Sequence, residues 1–261
     1  MTWKTLRIAP SIIFAALVVA PSHAADAPQA GAEQIRDRAI SKAVAWRPKS
    51  AESILKKNLK FEESQPWLTA EALLMVTFGI GQDEATVNKG LAILDKQAKK
   101  NPDDPVSEFY LGEVLYWTKQ TDQAKAAWQN AHDRAKALVS KTPKDARAQF
   151  YLGASLVRQE RAGEARKALK KAKRFGFDQP MVDYQIGLTY LIEENWEAAK
   201  NSFDSVHELD PRYAHLYFYR GIAWDKLGRK ANSLVDLDQF VKLAPNSPEA
   251  KTAKALLAAR R

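Results

Sequence analysis

Tyr184-Gln185-Ile186-Gly187-Leu188-Thr189-Tyr190, followed by Trp196, Ala199, Phe203 and Val206 and closed by Asp210-Pro211, is the stretch on which the fold turns. Tyr184, Leu188, Leu191 and Ile192 recur at helical spacing, and nothing in the segment alternates as a half-buried strand would. Gly187 sits in the middle of the first helix, where glycine costs about 1 kcal/mol relative to alanine, so a close neighbour is required to explain it. The pattern recurs outward along the chain. Gly112, Gly153, Gly187 and Gly221 are separated by 41, 34 and 34 residues, each with an aromatic three positions earlier: Phe109, Phe150, Tyr184 and Phe218. Pro66, Pro102, Pro105, Pro143, Pro180, Pro211, Pro245 and Pro248 punctuate the chain at intervals that suit pairs of helices. The spacing predicts an all-α chain.

These residues resemble the tetratricopeptide repeat family, whose unit is a pair of antiparallel helices. The resemblance implies an α-solenoid of stacked helix pairs wound as a right-handed superhelix. Four repeats are expected over residues 105–245 and a degenerate pair over 66–104. Ile35, Ala39, Ala43 and Trp46 share one helical face, and Ile54, Leu55 and Leu59 another, so residues 25–65 are expected to form an N-terminal helical segment. Residues 246–261 are expected to form a C-terminal capping helix, with Ser247 as N-cap and Pro248 in its first turn. Three departures from the pattern carry local predictions. Ser233 stands where the second helix usually has alanine, and is still small enough for helix contact. The repeat around Gly153 ends in Phe175-Gly176-Phe177, so Gly176 is expected to cap its second helix. The repeat around Gly112 is seven residues longer than the norm, which extends its second helix to roughly Ser140, a projection of about 10 Å.

The N-terminus reads as a targeting segment. Lys4 and Arg7 precede an uncharged run from Ile8 to Ala20, too short to span a bilayer, and Pro21 then leads to Ser22-His23-Ala24. Residues 1–24 are expected to be a signal peptide cleaved after Ala24, with the protein exported, to a periplasm or secreted. The 40 Lys and Arg exceed the 31 Asp and Glu by +9, which becomes +7 without that segment. With no cysteine, the chain has no zinc-thiolate site, iron–sulfur cluster, cysteine nucleophile or disulfide frame. No metal-spaced histidine pair, nucleophile elbow or phosphate-binding glycine loop is present, so neither an enzyme nor a cofactor is expected.

The resemblance implies a concave groove lined by the first helices. Carried over residue by residue, the groove comprises Phe109, Glu113, Tyr116 and Trp117; Phe150, Ala154 and Arg158; Tyr184, Leu188 and Ile192; and His215, Phe218 and Ile222. Its aromatic and aliphatic character argues against a carboxylate clamp and for a hydrophobic peptide or helix as partner. Two other readings stay open: the aromatic before each glycine is a packing residue, or the groove is filled from within by the segment around Ile35 to Trp46. The function expected is a non-enzymatic protein-interaction scaffold or assembly factor of the cell envelope, with self-association left open and nucleic acid not expected. An alternative rests on charge. Arg166, Lys167, Lys170, Lys171, Lys173 and Arg174 crowd one second helix, hence the convex side, and such a face suits anionic envelope polymers or a membrane surface.

Overall fold

The computed structural model describes residues 27–259, so the proposed signal segment with its cleavage after Ala24, and Arg260 and Arg261, lie outside the described residues. The described chain is thirteen α-helices with no strand: α1 Ala27–Val44, α2 Pro48–Lys56, α3 Gln65–Gly79, α4 Glu84–Lys100, α5 Pro105–Trp117, α6 Thr121–Lys141, α7 Ala146–Arg158, α8 Ala162–Arg174, α9 Gln179–Ile192, α10 Trp196–Leu209, α11 Ala214–Lys226, α12 Lys230–Leu243 and α13 Ala250–Ala258. From α3 to α12 they pack as five consecutive pairs, each second helix also packing on the first helix of the next pair. First helices additionally touch one another along the stack. They form the inner layer, and α5, α7, α9 and α11 are buried around most of their circumference.

Local chemistry sets the helix ends. Asp104, Asp145 and Asp178 each accept a backbone N–H with the side chain at the start of α5, α7 and α9, a cap worth about 1 kcal/mol. The turn from first to second helix places Lys119, Glu160, Glu194 and Gly228 in the left-handed region, at the same spacing as the mid-helix glycines. Helix α8 ends as expected at Gly176, φ +90°, where Phe177 N–H donates to Ala172 O at 2.9 Å in a Schellman turn. Helix α6 runs to Lys141, the two extra turns expected from its long repeat. One expectation fails: Ser247 does not cap the last helix. Residues 244–250 form two successive turns, closed by Ser247 N–H to Ala244 O and by Ala250 N–H to Ser247 O; the helix starts only after Glu249, and the Ser247 hydroxyl is buried without a partner.

The mid-helix glycines are contact points between paired helices. A Cβ on Gly112 would lie 2.5 Å from Trp128 Cδ1, on Gly153 2.6 Å from Leu169 Cγ, and on Gly187 2.6 Å from Phe203 Cε1. Gly221 is looser, its nearest neighbour being Leu237 Cγ at 3.2 Å.

Candidate functional site

The aromatics three residues before those glycines point into the stack. Phe109, Phe150 and Tyr184 have no exposed surface, and Phe218 almost none. Phe109 meets Tyr110 and Tyr151, and Phe150 stacks on Phe177 at 4.3 Å between centroids. Tyr184 meets Phe203, Tyr213 and Tyr219, and Phe218 meets Phe240. Packing within and between repeats thus consumes these rings. Ala154 and Leu188 are fully buried as well, and His215 and Ile222 nearly so. As folded, none of these eight groove candidates presents a surface to a partner, because the first helices are packed on more than one side.

Helix α1 packs on α2 and α3. It is buried at Ala32, Ile35, Arg36, Asp37, Ala39, Ile40 and Ala43, leaving Gln34 and Arg38 outward. It lies across the ends of the inner helices and is fastened there by charge. Arg147, at the start of α7, donates to Glu33 and, at 2.9 Å, to Asp37. Arg36 donates to Asp37 at 2.9 Å and to the α5 cap Asp104 at 3.2 Å. Beyond α1, Arg47 pairs with Asp210, and Trp46 stands edge-on to His215 at 5.5 Å between centroids. His215 in turn contacts Glu249 at the start of α13 at 3.2 Å, both side chains buried. The N-terminal segment thus contacts helix ends at Asp104, Arg147, Asp210 and His215. Burial pushes the Lys42 ammonium below its ordinary value, with Arg47 adding to the effect and Asp210 and Asp178 opposing it.

Three of the remaining groove candidates meet where the inner helices end. Tyr116 of α5, Arg158 of α7 and Ile192 of α9 line one open cleft of about 510 Å³, with Val157, Gln159 and Glu160 and with Thr121, Lys125, Trp128 and Gln129 of α6. Trp117, next to Tyr116, is half-buried but does not line it. The Tyr116 and Trp128 rings lie 5.7 Å apart, and the Arg158 guanidinium stands 6.0 Å from the Trp128 ring. Below the cleft, Glu113 takes Arg158 bidentately, Nε to Oε1 at 2.7 Å and Nη2 to Oε2 at 2.9 Å. Burial pushes the Glu113 carboxyl above its ordinary value, the guanidinium only partly opposing it. The cation is therefore matched inside the protein, and the cleft presents mainly apolar walls with an amide rim, where Gln159 donates to Gln129 at 3.1 Å. Trp128 and Val157 are cleft residues that reasoning by first-helix positions missed. The available signal was the conspicuous Trp128 in an otherwise alanine-rich second helix.

The basic helix α8 splits into two groups. Arg166 reaches the next repeat, donating to Thr189 at 3.1 Å and Glu193 at 2.7 Å and lying 4.7 Å from the Tyr190 ring centre, while Lys173 bridges to Asp183 at 2.7 Å. Lys167, Lys170, Lys171 and Arg174 point outward. Among the described residues no group of three or more His, Asp or Glu is placed to hold a metal ion, and no helix is long and apolar enough to cross a membrane.

The tetratricopeptide repeat profile matches residues 111–179 and 184–248, more than half of the chain. The chain belongs to the tetratricopeptide repeat family. Members of this family are typically non-enzymatic scaffolds that bind protein or peptide partners. Among solved structures, TTC0263, a thermophilic TPR protein of Thermus thermophilus, is similar at 17% identity and TM-score 0.56, covering 75% of this chain and all of that one. YrrB, described as a TPR protein with an unusual peptide-binding site, aligns at 20% identity and TM-score 0.40 over 77% of this chain and 97% of its own. MamA from Desulfovibrio magneticus aligns at 16% identity and TM-score 0.41 over 67% and 94%. At these identities the likeness to TTC0263 speaks for the fold alone.

Proposed function

We propose that this tetratricopeptide repeat protein is a non-enzymatic docking scaffold of the cell envelope, exported by residues 1–24, that seats a short apolar segment of a protein partner in the cleft between Tyr116, Trp128 and Ile192. One observation carries the reading: Tyr116, Arg158 and Ile192, from three successive first helices, meet at this cleft, while packing buries most of the other inner-face candidates and Trp117 stands outside it. Its apolar walls and internally neutralised arginine favour an apolar segment over an acidic one. The cell-envelope assignment rests on the charge, apolar run and small residues of the N-terminal segment.

The test is site-specific photocrosslinking in cells. A photoreactive residue at Ile192 is expected to capture a discrete partner, and Tyr116→Ala in the same chain to remove most of that product, as loss of a cleft anchor worth about 1–3 kcal/mol requires. The same probe at Val235, 69% exposed on α12, serves as the control. Equal capture of the same partner from Val235, or capture at Ile192 that ignores Tyr116→Ala, overturns the reading. Fractionation of the cells, with the protein recovered only with cytoplasmic markers, overturns the envelope assignment separately.

A further inference from the structure

Helix α8 carries a charge pattern that the fold itself does not use. Lys167, Lys170, Lys171 and Arg174 are spaced i, i+3, i+4 and i+7, so all four share one stripe of the helix, opposite the buried Ala165, Ala168, Leu169 and Ala172. Every pair at those spacings is a like-charge pair, which destabilises a helix in isolation. The nearby anions are committed elsewhere: Glu164 to Arg161, Glu193 to Arg166 and Asp183 to Lys173. Among the described residues none of the four stripe side chains has an ion-pair partner, and none lines the cleft at Tyr116. Attraction to the C-terminal end of the helix dipole accounts for Lys171 and Arg174 but not for Lys167. On α6, the outer helix of the preceding pair, Lys136 and Lys141 are also exposed and, among the described residues, without an ion pair, and Lys144 follows in the loop.

We propose that this convex stripe, Lys167, Lys170, Lys171 and Arg174, docks the protein on an anionic lipid bilayer. Charge complementarity selects an anionic partner, and three further features select a bilayer over an acidic protein. The four side chains stand exposed on the helix surface and so form no enclosed site for a particular side chain. Three of its four members are lysines, compact hydrated point charges suited to a field of phosphates and not to bidentate recognition. At its end Phe175 is half-buried with the Arg174 guanidinium 5.8 Å from its ring centre, an aromatic placed where a headgroup layer accepts one. The proposal goes beyond the docking reading, since it uses the opposite face of the molecule and no cleft residue.

Vesicle co-sedimentation of the purified protein tests it, with phosphatidylcholine vesicles containing about one-third phosphatidylglycerol compared with phosphatidylcholine alone. The expected result is sedimentation with the anionic vesicles only, weakening steeply between about 0.05 M and about 0.3 M salt as screening grows. Each stripe charge near an anionic surface is worth about a fivefold change in partition. The fourfold variant K167Q/K170Q/K171Q/R174Q is therefore expected to lose at least about tenfold in vesicle binding. The variant K56Q/K60Q/K251Q/K254Q, which removes the same net charge from exposed positions elsewhere, is expected to keep it. Circular dichroism of both variants separates binding from folding. No sedimentation of the wild type with anionic vesicles at low salt, equal losses in the two variants, or retention by soluble polyphosphate or polyglutamate without vesicle binding each overturns the proposal.

Discussion

Alanine substitution at the four mid-helix glycines should give unequal results, although the four stand at equivalent places in one repeat pattern. In a helix interior the exchange alone stabilises by about 1 kcal/mol. Against this stands the room for one methyl group. The new Cβ at Gly112 would lie 2.5 Å from the buried Trp128 ring, whereas an unstrained carbon contact needs about 3.5 Å, so the ring or the helix must yield by about 1 Å. Overpacking of that kind costs about 1–3 kcal/mol, with a rigid ring at the upper end, for a net loss near 2 kcal/mol. A melting temperature lower by about 4–8 °C follows for a chain of this size. Gly187→Ala against Phe203 should behave alike, and Gly153→Ala somewhat more mildly because Leu169 can change rotamer. Gly221→Ala needs only a few tenths of an ångström from Leu237 and should stay within about 1 kcal/mol of the parent. Urea unfolding followed by circular dichroism reads the series, with Gly163→Ala, which meets nothing within 4 Å, as the control for helix propensity. Uniform stabilisation of all four variants, or Gly221→Ala as damaging as Gly112→Ala, would refute the explanation by close helix approach.

Further outcomes follow from the ion pairs and turns. Arg147→Met leaves Glu33 and the buried Asp37 without their shared cation, and should destabilise by about 1–3 kcal/mol after allowance for partial exposure; limited proteolysis should then cut first around α1. Burial raises the Glu113 carboxyl above its ordinary value, so the native state holds that proton more tightly than the unfolded chain does. Stability attributable to Glu113 should therefore fall as pH rises from the ordinary glutamate range through the raised native value. Denaturant midpoints of wild type minus Glu113→Gln should accordingly decrease with pH across that window, and an increasing difference would contradict the sign. Glu194→Gly, which replaces a side chain held at φ +56°, should raise the unfolding free energy by up to about 1 kcal/mol in the same assay.

The helix boundaries were legible because local residues determine them. Gly176 and the long spacing after Gly112 each act within a few positions, and α8 and α6 end where those signals place them. The Ser247 cap misled because a serine before proline suits a helix start and a turn equally, and only the surrounding backbone decides between them. The inner face was legible only in part. An aromatic at the position of Phe150 satisfies both a ligand-lining and a helix-packing pattern, and its stacking on Phe177 depends on how the next repeat leaves α8. The docking of the N-terminal segment rests on pairs such as Arg147 with Asp37 and Arg47 with Asp210, 110 and 163 residues apart, which no local periodicity records. The cleft survived as a candidate because Tyr116, Arg158 and Ile192 stand at helix ends, where packing runs out.

Native-state amide hydrogen exchange of α1 tests most directly the claim that the chain's own N-terminal helix is part of the repeat core, fastened to the starts of α5 and α7. The account predicts that amides of residues 35–43 exchange with protection comparable to that of α5 and α7, since α1 is buried in the same core and shares their ion pairs. Exchange of residues 35–43 at nearly unfolded rates, while α5, α7 and α9 remain protected, would contradict it.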